Sequence, residues 1–315
     1  MLKHAVVFPG QGSQSPGMLS SLAECYPDIR KTVDHVSLRL DEDIWALIVE
    51  NPAGRLDQTE YTQVAMLTAD VAIYRVLETL GLKRATVLAG HSLGEYAALV
   101  CSGALSLSDA AFLVRERGRL MQDSVPVGVG SMAAIVGLTD QQVEAACAQA
   151  SINGLHVMPA NYNAIGQVVI AGHTPAVEHA MLLAEEMNAR LVKKIAVSVP
   201  CHCPLLIHAA EKYAQALLAT NFNTPTIPVI SNVDLSEYTT AEQMRQLLTQ
   251  QLYSPVRWVE TIQKFKSMAV DLVIESGPGS VLTGLCKRID KSIAAMSASE
   301  PSNILMVLER YPDLF

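Results

Sequence analysis

Short apolar runs that end in glycine turns and hand over to helical patterns recur along the chain. "HAVVFPGQG" (4–12), "ATVLAGHSLG" (85–94) and "VDLVIESGPG" (270–279) are the clearest. Such alternation predicts parallel strands joined by crossover helices. In sheets of this kind functional residues gather at the carboxyl ends of the strands. Gln11, Ser92 and the turn at 276–279 each follow a strand-like run, so they are expected to converge.

The pattern changes between residues 128 and 198. "SMAAIVGL" (131–138) reads as a strand and "TDQQVEAACAQA" (139–150) as a helix opened by a Thr139/Gln142 capping box. "HVMPANYN" (156–163) and "QVVIAG" (167–172) read as strands joined by a short turn at Gly166. "TPAVEHAMLLAEEM" (174–187) reads as a helix with Thr174 as its cap and Pro175 at its first position. "RLVKKIAVSV" (190–199) is a strand again. The order β-α-β-β-α-β is that of a ferredoxin-like unit. The expected organisation is α/β, with a core of residues 1–127 and 199–315 interrupted by a small subdomain at 128–198.

Half of the 315 residues are hydrophobic, enough for a sizeable core, and the formal net charge of −8 argues against nucleic-acid binding. No apolar stretch approaches the roughly 18 residues of a membrane span. The first residues enter a short strand almost at once, without the long apolar region of a signal peptide. Six cysteines are scattered, and the one close pair, Cys201 and Cys203, lacks CxxC spacing. Reduced thiols, no metal site and a cytoplasmic location are the expectation.

Gly-x-Ser-x-Gly at 90–94, between a strand-like run and a helical pattern, is the arrangement of a nucleophile elbow. A sharp strand-to-helix turn exposes the Ser92 hydroxyl, and the helix dipole favours developing negative charge there. The same residues also suit a plain glycine turn in which Ser92 caps the helix. A nucleophilic serine needs a base. His202, after a β-rich run and Pro200, is the best placed of eight histidines; His91, adjacent to the serine, reads as a packing residue. In "SLSDAAFLVRERGRLMQDS" (106–124), with Ser108 as the expected cap, Ala110, Leu113, Val114, Leu120 and Met121 form an apolar stripe. Arg117 lies at its centre, while Arg115 and Arg119 fall on the polar side. An arginine on a core face either pairs with an internal carboxylate or holds an anionic ligand.

With these residues in view the chain closely resembles the malonyl-CoA:acyl-carrier-protein transacylase family of type II fatty-acid synthesis. "FPGQGSQ" (8–14), "GHSLGEYAALV" (90–100), "RG" (117–118), "NYNAIGQVVIAG" (161–172), "VPCHCPL" (199–205), "SNVD" (231–234), "QLYSPVRW" (251–258) and "GPGSVLTGL" (277–285) match in family order. The resemblance implies an α/β-hydrolase-like core with a parallel sheet and an inserted ferredoxin-like subdomain. It implies Ser92 as nucleophile, His202 as base and acid, and Arg117 as the residue that binds the malonyl carboxylate. It further implies an oxyanion hole from the backbone amides of Gln11 and Leu93, and support of His202 by the main-chain carbonyl of Gln251. Asn161 and Asn163 would line the entrance, as contacts for coenzyme A or the carrier. Malonyl-CoA and an acyl carrier protein are the implied partners, with no cofactor. Asp234 and Glu275, the acids that could have completed a triad, then read as turn and structural residues. One residue departs from the family pattern: Cys201 stands where serine is common, and it is still small enough for a malonyl group.

Two other functions share parts of this pattern. A serine hydrolase would have the same elbow, but an arginine on the core face disfavours it. A non-catalytic carrier-binding module is disfavoured by the presence of Ser92, His202 and Arg117 together.

Overall fold

The structure, a computed structural model, describes residues 2–197 and 199–315. Strands β1 (His4–Phe8) and β2 (Val87–Gly90) pair in parallel at the centre of a five-stranded sheet. A second, four-stranded antiparallel sheet follows, of β3 (Gly130–Val136), β4 (Val157–Ala164), β5 (Gln167–His173) and β6 (Leu191–Ile195), in the order β4-β5-β3-β6. The chain then returns to the first sheet through β7 (Val229–Ile230), β8 (Leu272–Glu275) and β9 (Ala294–Ser297), completing the parallel order β7-β2-β1-β8-β9. Two helices, Asp140–Ala150 and Thr174–Glu186, connect the antiparallel strands in the ferredoxin-like order.

The three strand-like runs of the sequence are therefore neighbours, β2-β1-β8, and their carboxyl ends lie side by side. β1 and β2 are buried throughout, as expected for a parallel sheet covered on both faces. The turn that follows β2 needs its glycines. A Cβ on Gly94 would come 2.0 Å from the Phe8 carbonyl oxygen, so the helix Gly94–Cys101 can lie this close to β1 only without a side chain there.

Two helix starts differ from the sequence reading. The helix Leu107–Ser124 is capped by Ser106 rather than Ser108. The Ser106 hydroxyl accepts from the Asp109 amide at 3.0 Å and donates to the Asp109 carboxylate at 2.7 Å, a reciprocal pair that Ser108 has no partner to form. Thr174 is the first helical residue rather than the cap: its buried hydroxyl bonds no helix amide among the described residues, and its own amide donates to the Val129 carbonyl. The Thr139/Gln142 capping box is formed as expected.

The antiparallel sheet is fixed over the core by main-chain bonds from β4 to a single core residue. Tyr162 donates its amide to the Val256 carbonyl at 3.0 Å, and the Val256 amide donates to the Ala160 carbonyl at 2.9 Å. This seam sets the height of β4 above the end of β2.

One core helix carries an anomaly. Thr59–Thr79 is buried almost all round, and Asp70 sits in its middle with neither carboxylate oxygen hydrogen-bonded among the described residues. Burial first, and the neighbouring Glu275 second, hold the Asp70 carboxyl well above its ordinary pKa. The unfolded chain ionises at the ordinary value and the folded one does not, so this residue costs stability that grows as pH rises above that value. Asp70→Ser, whose hydroxyl can bond back to the Met66 carbonyl, is expected to raise Tm at pH 7.5 by about 2–6 °C, with the gain shrinking toward pH 4 in thermal melts.

Candidate active site

The turn after β2 projects Ser92 with a φ of +53°, and the loop after Pro200 holds His202 at +60°. Both are left-handed conformations that non-glycine residues adopt only where the surroundings compel them, at a cost of order 1–3 kcal/mol each. At Ser92 the compulsion comes from Asn232. Its side-chain oxygen accepts the Ser92 amide at 2.7 Å and its amide nitrogen donates to the Gly90 carbonyl at 2.7 Å, clamping both sides of the turn.

The Ser92 hydroxyl lies 2.7 Å from His202 Nε2. His202 Nδ1 lies 2.7 Å from the main-chain carbonyl of Gln251, which can only accept, so Nδ1 carries the proton and Nε2 is left as the base. Burial, then the positive charge of Arg117, push the His202 pKa down to about 3, so the ring is neutral. No acid completes a triad among the described residues. Asp234 accepts from the Ser236 amide and hydroxyl within its own turn. Glu275 accepts from the amides of Leu282 and Thr283 at the start of a helix. Both acids are structural, as the sequence reading has it.

Arg117 is 2% exposed and lies on the buried face of its helix, with Leu113, Val114, Leu120 and Met121. Its guanidinium donates to Gln63 Oε1 at 2.9 Å, to Gln251 Oε1 at 2.9 Å and to the Ser92 hydroxyl at 3.3 Å. It forms no ion pair among the described residues, and its Nε is buried without a partner there. Of the two outcomes open to a core-face arginine, the internal salt bridge is therefore not the one taken. Arg115 and Arg119, on the polar side as expected, pair with Glu42 and Glu60, and with Glu116 and Asp123.

These groups open into a cavity of about 240 Å³ between the two sheets. Gln11, Ser92, Leu93, Arg117, Asn161, Asn163 and His202 all line it, and Gln251 lies buried behind it. The backbone amides of Gln11 and Leu93 have no acceptor among the described residues. Leu93 immediately precedes the helix Gly94–Cys101, so its amide points with the positive end of that helix. The turn at 276–279 does not reach the cavity; Val281, Leu282 and Leu285 of the helix that follows it do.

His91 does more than pack. Its ring lies on Trp258 with centroids 5.4 Å apart, and its Nε2 bonds the Asn163 side-chain oxygen at 2.7 Å, so it joins the elbow to β4 across the cavity. Cys201 lines the cavity, and burial pushes its thiol up to about 11, which keeps it from acting as a second nucleophile. Sequence reasoning assigned no role to Gln63, Glu95 or Asn232, although Glu95 and Asn232 stand inside motifs it had singled out. No helix among the described residues is long and apolar enough to cross a membrane, and no group of three or more potential metal ligands occurs among them.

An acyl transferase domain model matches residues 5–305. The chain is 46% identical over 309 residues to the malonyl CoA-acyl carrier protein transacylase of Escherichia coli K12, covering 98% of this chain and all of that one. It is 39% identical over 309 residues to the Bacillus subtilis protein of the same name, covering 98% and 97% of the two chains. The malonyl CoA-acyl carrier protein transacylase structure from Coxiella burnetii superposes with a TM-score of 0.96 at 46% identity, over 98% of each chain. A malonyl-transacylase solved in complex with its type II PKS acyl-carrier protein superposes with a TM-score of 0.96 at 44% identity, over 98% of this chain and 99% of that one. The chain is an acyltransferase and belongs to the malonyl CoA-acyl carrier protein transacylase family.

Proposed function

We propose that this protein moves the malonyl group from malonyl-CoA to the phosphopantetheine thiol of an acyl carrier protein, through an ester on Ser92, and so supplies fatty-acid synthesis in the cytoplasm. The observation that carries this reading is a buried guanidinium without a carboxylate partner among the described residues, 3.3 Å from the serine hydroxyl that is bonded to a neutral histidine. A substrate that places a carboxylate near the reacting carbonyl fits that pair; a simple ester or acetyl group leaves the cation unanswered.

In the first step Arg117 holds the malonyl carboxylate. His202 Nε2 takes the Ser92 proton as Oγ attacks the thioester carbon, and the carbonyl oxygen takes up the electron pair. The amides of Gln11 and Leu93 stabilise that oxyanion, each such donor being worth about 3–4 kcal/mol. The carbon–sulfur bond then breaks, and His202 returns the proton to the coenzyme A thiolate. In the second step His202 deprotonates the carrier thiol, which attacks the serine ester; Ser92 leaves and recovers its proton. Both steps balance with these residues alone, without metal or redox chemistry.

Asn161 and Asn163 on β4 are proposed to contact coenzyme A or the carrier arm at the entrance. The acidic carrier would dock near Lys193, Lys194, Lys287 and Arg288, with Arg190 further along the same subdomain. β6 and the helix Val281–Ile289 carry the first four, and residues of both elements line the cavity. We take the core as 1–127 and 199–315 and the small subdomain as 128–198. Incubation with malonyl-CoA, read by intact mass, is the test. The protein should gain one malonyl group and lose it to added carrier. Continuous release of coenzyme A without an acceptor thiol would mean a hydrolase instead.

A further inference from the structure

Behind Ser92 and Arg117 stands a carboxylate that the two-step chemistry above does not use. Glu95, one residue into the helix after the elbow, is 1% exposed. Its Oε2 accepts from Gln251 Nε2 at 2.6 Å and from the Asn232 amide at 3.3 Å, and the Tyr238 hydroxyl donates to its Oε1. Gln251 Nε2 also donates to the Ser92 carbonyl at 3.0 Å, and Gln251 Oε1 accepts from Arg117 at 2.9 Å.

The polarity of this chain is forced. Arg117 can only donate, and the Ser92 carbonyl can only accept. An ionised Glu95 can only accept as well, so Gln251 must turn its amide nitrogen inward and its oxygen to Arg117. A neutral group at position 95 can donate to Gln251 instead, and the orientation then rests on the Ser92 carbonyl and Arg117 alone, without the charge-assisted bond that fixed it. If the amide turns over, it presents N–H groups to the guanidinium, and Arg117 loses one of the two glutamine oxygens that aim it.

We infer that Glu95 is a positioning residue for the substrate carboxylate: as a carboxylate it locks the Gln251 side chain, and through it directs Arg117 toward the acyl group. The inference rests on Arg117 as the residue that holds that carboxylate. It assigns Glu95 to selectivity and not to the serine–histidine step, because His202 bonds the main-chain carbonyl of Gln251, which does not depend on how the amide is turned.

The groups facing Glu95 set its titration. Burial pushes its pKa up to about 7, against Tyr238, the Gln251 amide, the Asn232 amide and the charge of Arg117, which favour the ionised form. The locked arrangement therefore dominates above neutrality and is lost as pH falls.

The test compares malonyl-CoA with p-nitrophenyl acetate, which acylates serine and brings no carboxylate. Glu95→Gln is expected to raise KM for malonyl-CoA about ten- to a hundredfold, the usual loss for one hydrogen bond to a charged group. The p-nitrophenyl acetate burst should stay within about threefold of the unaltered protein. In the unaltered protein KM for malonyl-CoA should rise as pH is lowered from about 8 to about 6, and in Glu95→Gln it should stay level. An equal effect on both substrates, or no effect on malonyl-CoA, overturns the inference. Should the variant fold poorly, the pH series on the unaltered protein decides alone, and a level KM overturns it. Arg117→Gln separates the two readings. If that variant keeps full malonyl selectivity, the carboxylate role of Arg117 itself is wrong. If it loses selectivity while Glu95→Gln does not, the role of Glu95 alone is wrong.

Discussion

Ser92→Ala is expected to abolish acyl transfer from malonyl-CoA and to leave no malonyl adduct on the protein. Among the described residues the Ser92 hydroxyl is the one nucleophile in the cavity that is bonded to a neutral base, 2.7 Å from His202 Nε2. Losing either member should lower turnover by about 10⁴–10⁶-fold. His202→Ala should match Ser92→Ala, and the double variant should be no worse than either, because the two act as a unit. Cys201 offers no bypass, since burial keeps its thiol protonated, with a pKa of about 11. Coenzyme A release and intact mass after mixing with malonyl-CoA check this. An adduct that persists in Ser92→Ala, on Cys201 or elsewhere, would overturn it. The lowered pKa of His202 adds a pH signature. The base is neutral above about 3, so the acylation rate should not fall through loss of the base between about pH 8 and pH 5.

The residues proposed to act by type and position were legible in the sequence. Gly-x-Ser-x-Gly after an apolar run announces an elbow because only that spacing lets a helix start so close to a strand. Arg117 stood out because a charge at the centre of a 3.6-residue apolar stripe is costly unless it is used. The ferredoxin-like unit was visible because its periodicity switches cleanly between two and 3.6. Strands β7 and β9 were not read, since two to four residues carry no periodicity and, unlike the equally short β2 and β8, neither run ends in a glycine turn. The roles of Glu95, Asn232 and Gln63 were hidden for a different reason. They depend on hydrogen bonds between residues 54 to 156 positions apart, and a buried glutamate four residues from a helical neighbour looks, in sequence, like a surface one. His91 was half legible: its place beside the serine suggested packing, which it does on Trp258, but its bond to Asn163 joins two sheets.

Arg117→Ala should convert a malonyl-selective site into an indifferent one. Carboxylate binding by a buried, planar guanidinium is a charge pair whose loss typically costs about 3–5 kcal/mol, or roughly 10²–10⁴-fold in kcat/KM for malonyl-CoA. Acetyl-CoA has no carboxylate to lose, and in the unaltered protein it must bind beside a cation held between Gln63 and Gln251, its buried Nε without a partner among the described residues. Removing the cation also removes one of the two main influences that depress the basicity of His202, so the serine step should not suffer with acetyl-CoA. The malonyl-to-acetyl ratio should therefore collapse, and acetyl turnover should hold or rise. Arg117→Lys should fall between the two, because an ammonium keeps the charge but cannot offer the paired donors of the guanidinium fork. Steady-state kinetics with both thioesters measures the ratio directly. A loss of the same size with malonyl-CoA and acetyl-CoA would mean that Arg117 serves the elbow and not the substrate: its bond to the Ser92 hydroxyl at 3.3 Å would then be the one that matters.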